Sequence, residues 1–281
     1  MKEELRQFIP KVHFELIAIK DLVSCQEYQR NLSMRHVKKA VEEFDLNQIN
    51  PIKVSRRDGV NYVFNGQHTA EIVALASGSR DTPVWCMVYD DLDYVEEADI
   101  FANQMKNVKA LQPLEIFKAN CEAGNDRELM IKSLVESYDM RISGANSPGC
   151  IAAVGTMINI YDKYGYEVLN HVIRLIVITW EGENKSFKSS ILNGITRLII
   201  AYGDKLKDDV FKEKLGSISI KELTRTAKER RAGSLGFSEA MLLAYNKRNK
   251  SPLYWNTLYS GTNNIMQFEN TEDIVGVKVG S

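Results

Sequence analysis

The chain has 281 residues, 44% hydrophobic and 26% charged, with 36 Lys and Arg against 37 Asp and Glu for a formal net charge of −1. That is enough apolar material for one large or two moderate cores, and too little positive charge for a protein that grips duplex DNA by nonspecific attraction alone. No apolar run approaches the roughly 18 to 20 residues of a membrane span, and the opening MKEELRQFIPKVHFEL has no segment long enough for a signal peptide, so no membrane partner and a cytoplasmic location are expected.

The charge is unevenly spread. Residues 1–126 hold 15 Lys and Arg against 20 Asp and Glu, and residues 127–281 hold 21 against 17, so any nucleic-acid contact is expected from a local patch in the back half. The four cysteines, Cys25, Cys86, Cys121 and Cys150, are widely spaced and have no histidines at metal-ligand spacing, which predicts reduced thiols and no metal site.

In chain order, VHFELIAIKDLV alternates apolar and polar residues and predicts one strand, followed by a loop, SCQEYQRNL. Ser33 is a helix N-cap before MRHVKKAVEEF, where Met34, Val37, Ala40, Val41 and Phe44 recur at helical spacing. The runs IKVS and NYVF, joined through Asp58-Gly59, predict a hairpin. From Gly66 to about Ser77 the pattern is helical, ended by Gly78, and TPVWCMVY predicts a further strand.

From Tyr94 onward apolar residues recur at helical spacing. YVEEADIFANQMKN and LEIFKANCEA predict consecutive helices, the second introduced by Pro113, and RELMIKSLVESYDMRI another before the loop GANSPG. Gly165, Gly182 and Gly216 punctuate the later helical runs. The stripes of CIAAVGTMINIY, EVLNHVIRLIVITW and SILNGITRLIIAY predict a helix-packed core filled in part by Met157, Tyr161, Trp180 and Tyr202.

The most informative place is the joint between NYVF and the following helix, where Asn65, Gly66, Gln67, His68 and Thr69 are all small or polar. A glycine there lets backbone and ligand approach closely, and the first amides of the helix point outward at the positive end of its dipole. Such a joint is a ready anion or phosphate site with side-chain donors beside it. The alternative is that Asn65 and Thr69 cap the helix while Gln67 and His68 are merely solvated.

Three motifs favour the first reading. FNGQHTAEI, the preceding YQRNLSMRHVKKAVEEFDLNQINPIKV and the later FANQMKNVKALQPLEIFKA together resemble the ParB N-terminal-like, or ParB/sulfiredoxin-like, family, in its branch with an Asp-Gly-Gln-His-Arg motif. The resemblance covers about residues 14 to 119. It implies an α+β fold, a small mixed-sheet ParB/sulfiredoxin-like domain over residues 1–110 followed by an all-helical domain over 111–255 and a polar tail over 256–281. The domain change is expected between about residues 108 and 126.

Departures from the motif limit the chemistry carried over. Sulfiredoxins reduce a sulfinic acid through a motif cysteine; Gln67 stands there, and an amide is no substitute for a thiolate nucleophile. ParB proteins bind CTP with Mg²⁺ through motif arginines and a later acidic-amide pair. Thr69 and Glu71 occupy the two arginine positions, and Asn103 and Gln104 roughly the later pair, so the charges for a triphosphate are thinned. What the resemblance leaves as ligand-binding candidates is Gln29, Arg30, Asn65, Gly66, Gln67, His68, Thr69, Asn103, Gln104, Lys106 and Asn107. His68 and Glu71 are the candidates for general-base work.

In the back half, KELTRTAKERRAGS and YNKRNKSPLYW place Lys228, Arg230, Arg231, Lys247, Arg248 and Lys250 near Tyr254 and Trp255, as phosphate contact or base stacking would use them, or as solvated helix faces. Three functions stay open. The leading one is a ParB-like DNA-associated protein, potentially a homo-oligomer, in segregation, replication or regulation of a mobile element, plasmid or phage. The second is a nucleotide-dependent enzyme, an NTP hydrolase, phosphotransferase or nuclease, at Gly66 to Glu71. The third is a protein-interaction scaffold.

Overall fold

The computed structural model describes residues 9, 11–24, 27–29, 31–90, 92–104, 106, 108–183 and 185–260. The chain divides into two compact units, Met1–Lys109 and Ala110–Ser281, each with its own hydrophobic core. The architecture is α+β, with a mixed sheet in the first unit and a helical second unit.

The stretch expected to be one strand is two. A 3-10 turn at Ile19–Asp21 separates β1 (His13–Ala18) from β2 (Leu22–Val23). Ile19 N–H donates to the Thr82 carbonyl (3.1 Å) and Lys20 N–H to that of Arg80 (2.8 Å), so the backbone leaves one strand for another position in the sheet. Ile17, Ile19 and Leu22 are all buried, and the three-residue step from Ile19 to Leu22 is where the period-two pattern breaks.

With β3 (Ile52–Arg57), β4 (Val60–Asn65) and β5 (Pro83–Tyr89), the sheet order is β1-β5-β3-β4-β2. The pairs β1/β5 and β3/β4 are antiparallel, while β3/β5 and β2/β4 are parallel. Asp58 and Gly59 both have positive φ, 51° and 78°, as a two-residue turn matching the right-handed strand twist requires. Ile52, Val54, Val63, Cys86 and Val88 form a fully buried layer, covered by Ala70 and Val73 of helix α2 (Gln67–Ser77).

Helix α1 (Met34–Glu42) begins at the expected cap, with Ser33 Oγ accepting from His36 N–H. Of its expected stripe only Val37 is fully buried, and Met34 is exposed, because a nine-residue helix on a sheet edge covers little area. Helix α3 (Tyr94–Asn103) is shorter than the pattern to Asn107 suggested, and starts on a capping box between Asp93 and Glu96.

The second unit runs through α4 (Pro113–Glu122), α5 (Asp126–Glu136), α6 (Val154–Trp180), α7 (Ser189–Tyr202), α8 (Asp208–Leu215), α9 (Ile220–Arg230), α10 (Gly233–Asn246) and a helical turn at 255–260. It is not wholly helical. A two-residue parallel ladder joins β6 (Arg141–Ile142) to β7 (Cys150–Ile151) across the GANSPG loop, with Arg141 N–H donating to Gly149 O and Ser143 N–H to Ile151 O. Gly165 interrupts α6 with φ 82° and ψ 174°, while Glu181 and Gly182 end it at positive φ. Met157, Trp180 and Tyr202 are buried and Tyr161 half-buried, and Leu258 is buried, so residues 255–260 pack where a polar tail from residue 256 was expected. Residues 261–281 lie outside the described residues.

The closest packing in this unit is at Gly236, where a Cβ would stand 2.0 Å from the Arg231 carbonyl oxygen and 2.5 Å from that of Ala227. Gly236→Ala is expected to cost about 1–3 kcal/mol by forcing α9 and α10 apart. Gly155→Ala, with nothing within 4 Å, should leave stability unchanged or raise it by up to about 1 kcal/mol. Urea denaturation of the two variants checks the contrast; equal midpoints would mean that α9 and α10 are not closely packed there.

Candidate functional site

Gly66 organises the site. Its φ of 104° and ψ of 16° are left-handed, and a Cβ there would lie 3.2 to 3.3 Å from Ile52 Cγ1, Cα and Cγ2, so conformation and packing against β3 both require glycine. The Gly66 carbonyl accepts the first intrahelical bond, from Ala70 N–H (3.0 Å), and the amides ahead of it face out at the positive end of α2. No side chain caps this helix. Asn65 instead donates from Nδ2 to Gln104 Oε1 (2.6 Å), tying the joint to the residue that follows α3.

Over the joint lies a cavity of about 390 Å³. Its wall comes from Gln29, Asn31 and Ser33 of the opening loop, His36 of α1, Phe64 and Asn65 of β4, Gly66 through Thr69 at the start of α2, and Phe101 of α3. Ser33 N–H donates to His68 Nε2 (3.1 Å), and the His36 and His68 rings meet edge to face at 5.6 Å. Gln29 donates to the Val63 carbonyl, and Ser24 Oγ donates to Gln67 Oε1 (3.2 Å), which fixes the two glutamines side by side. They separate this cavity from a second of about 390 Å³, lined by Leu22, Ser24, Leu32, Val63, Ala70, Glu71 and Arg80 together with Gln29, Asn31 and Gln67.

The remaining candidates fall elsewhere. Glu71 faces the second cavity and accepts both bonds of a bidentate pair from Arg80 NH1 (2.9 and 3.0 Å), whereas His68 faces the first, so the two candidate general bases have separate partners. Asn103 turns back on its own helix and donates to the Asp99 carbonyl and carboxylate (3.0 and 2.9 Å). Lys106 is exposed and does not line the cavity. Arg30 and Asn107 lie outside the described residues. In the helical unit, Arg230 and Arg231 both bind the buried Glu239, at 3.3 and 3.4 Å, and Arg230 lies 4.9 Å from the Trp255 ring centroid. Lys228, Lys247, Arg248 and Lys250 are exposed, with no ion pair among the described residues.

Sequence reasoning missed Asn31, His36, Phe64 and Phe101 in the wall, and missed what holds the opening loop. Glu97 of α3 is completely buried, with Arg57 Nε at 2.8 Å and the Tyr28 hydroxyl donating to it at 3.1 Å. The Arg57 guanidinium sits 4.3 Å from the Tyr62 centroid, and Tyr28 packs on Tyr94 and Phe101. Burial, and then the Glu97 carboxylate, push the Tyr28 phenol above its ordinary range, so it stays a donor. The available signal was Glu97 one helical turn from the apolar Phe101, on the face that packs inward.

Glu97→Gln would leave the Arg57 cation without its counter-charge and is expected to cost about 3 kcal/mol. Tyr28→Phe, which removes one hydrogen bond to a charged group, should cost about 1.5 kcal/mol. Denaturant titration of both decides it; a Glu97→Gln cost no larger than that of Tyr28→Phe would show that the ion pair is not the anchor.

No curated protein matches the chain. Among solved structures, the C-terminally truncated chromosome-partitioning protein ParB from Caulobacter crescentus, crystallised with CTP-gamma-S, is similar over 90% of this chain and 99% of its own, at 15% identity and a TM-score of 0.33. A likeness at that score carries no argument about site or ligand. The model of a protein family, described as a family of unknown function (DUF6551), matches residues 23–253. With most of its length so matched, the chain belongs to that family.

Proposed function

We propose that this is a ParB-like, DNA-associated protein whose first unit holds the phosphate of a nucleotide-class ligand at Gly66–Thr69 and whose helical unit contacts DNA, as a mobile element, plasmid or phage would use in segregation, replication or regulation. The observation that carries the ligand half is convergence. Gln29 of the opening motif and Asn65 to Thr69 of the glycine motif line one cavity, and Gln104 of the later motif is bonded to its rim through Asn65. Outward amides at a helix start, amide and hydroxyl donors, and two aromatic rings suit a phosphate attached to a planar or sugar-like group. They do not suit a protein-held Mg²⁺: the described lining has no carboxylate, and no cluster of three or more His, Cys, Asp or Glu fit to hold a metal occurs among the described residues.

The DNA half is supported by the motif resemblance together with Lys228, Lys247, Arg248 and Lys250, whose charges are not spent on ion pairs among the described residues. Arg230 and Arg231 are spent on Glu239, so their contribution is to hold the C-terminal helices together.

Thermal shift with a panel of ribonucleoside mono-, di- and triphosphates tests the ligand half. A ligand at a hundredfold excess over Kd should stabilise the wild type by about 2.7 kcal/mol and leave a His68→Ala/Thr69→Ala double variant unshifted; an equal shift in both would move the ligand elsewhere. For DNA, neutralising Lys247, Arg248 and Lys250 should lower the slope of log K against log salt by about 0.9 for each phosphate no longer neutralised. Arg230→Ala with Arg231→Ala should instead destabilise the fold. A salt slope unchanged in the triple lysine-arginine variant would remove this surface from the DNA interface.

A further inference from the structure

We infer that the cavity over Gly66–Thr69 takes up a phosphate-class dianion together with a proton, carried by the imidazole pair His36 and His68. The inference rests on the phosphate reading above and specifies how the anion's charge is balanced. Every other described lining residue is uncharged: amides from Gln29, Asn31, Asn65 and Gln67, hydroxyls from Ser33 and Thr69, two phenyl rings and a glycine. A helix start supplies the equivalent of roughly half a positive charge, which leaves most of a dianion unbalanced. The two histidines are the titratable groups in that lining, their rings 5.6 Å apart.

Their hydrogen bonds show what a proton does there. A backbone amide only donates, so the Ser33 N–H to His68 Nε2 bond of 3.1 Å places the lone pair on Nε2 and makes the neutral ring protonated on Nδ1. Protonation at Nε2 turns that acceptor into a donor. The bond from Ser33 opens, and an imidazolium N–H is released toward the cavity beside the amides of α2. Ser33 also caps α1 at His36 N–H, so the same residue links both rings to the opening loop.

The charged neighbours are otherwise engaged or turned out. On α2, Glu71 is held by Arg80. On α3, Glu96 belongs to the capping box, Glu97 binds Arg57 and Asp99 accepts from Asn103. β4 carries no charge, and Glu27 of the opening loop, Arg35, Lys38 and Lys39 of α1 and Lys106 are exposed outside the lining. Arg30 of the opening loop, outside the described residues, is the rival source of positive charge.

The sign follows from linkage. An anion that binds the protonated state more tightly raises the imidazole pKa, so affinity is greatest below the ordinary imidazole range and is lost as pH rises through it. Uptake of one proton gives a fall of about tenfold in affinity per pH unit on the alkaline side.

Isothermal titration of the full chain with sulfate, which stays a dianion throughout, from pH 5.5 to 8.5 at fixed ionic strength and in two buffers of different ionisation enthalpy, tests this. The expected result is the tenfold slope with about one proton taken up per sulfate, the slope flattened in His68→Gln or His36→Asn and retained in Arg30→Gln. Because proton uptake is read on the wild type, the test does not depend on the variants folding. Sulfate binding that is independent of pH and lost in Arg30→Gln overturns the inference and leaves the phosphate reading standing. No sulfate binding at any pH overturns both.

Discussion

Gly66 has no room for a side chain on the side of Ile52 and a backbone conformation that side chains resist, and the geometry of the first unit's site descends from that pairing. Because Ile52 is a fully buried residue of β3, the glycine is pressed onto the centre of the sheet, and α2 must start there with its amides turned toward the opening loop. The parallel pairing of β3 with β5 keeps β3 central, and the Asp58-Gly59 turn returns β4 so that Phe64 and Asn65 end beside the helix start. Remove the constraint and the cavity loses its floor before any ligand-facing side chain is altered.

A second constraint is electrostatic. The Glu97–Arg57 pair takes a carboxylate wholly out of water, which is tolerable only because the guanidinium and the Tyr28 hydroxyl both meet it and two tyrosine rings flank the cation. Tyr28 immediately precedes Gln29, so a network whose cost and gain are internal to the core also fixes one wall of the cavity. Stability and site geometry are coupled there, unlike at Glu71, whose pair with Arg80 is partly solvated and contributes little beyond closing off one face of α2.

What was legible in the sequence was what short-range chemistry decides. The Ser33 cap, the Asp58-Gly59 turn, the Gly78 stop and Pro113 at a first helical turn each depend on a residue and its immediate neighbours, and each stands where the pattern put it. The motif order located the joint, and the cavity lies over it. What was not legible depends on partners distant in sequence. Ile19 leaves the strand because its amide goes to Thr82; the β6/β7 ladder closes across the polar GANSPG loop; Arg230 and Arg231 read as a basic patch because Glu239, two turns into the next helix, is invisible as their counter-charge until the helices pack.

The same distinction explains why substitution of charged motif residues here does not read as simple loss. Thr69 keeps a hydroxyl in the cavity wall where the resemblance expects arginine, and Glu71 has reversed the charge of the other position yet is neutralised by Arg80 from beyond the helix end. The helix start therefore stays electrically open toward the ligand side while its flank is closed. A site of neutral donors around two imidazoles is weaker at high pH than one built on arginines, but it is adjustable over the range in which imidazole titrates. A cavity that had merely lost its ligand would be under no constraint to keep Ser33, His36 and His68 in register; here one serine joins both histidines to the loop that carries Gln29.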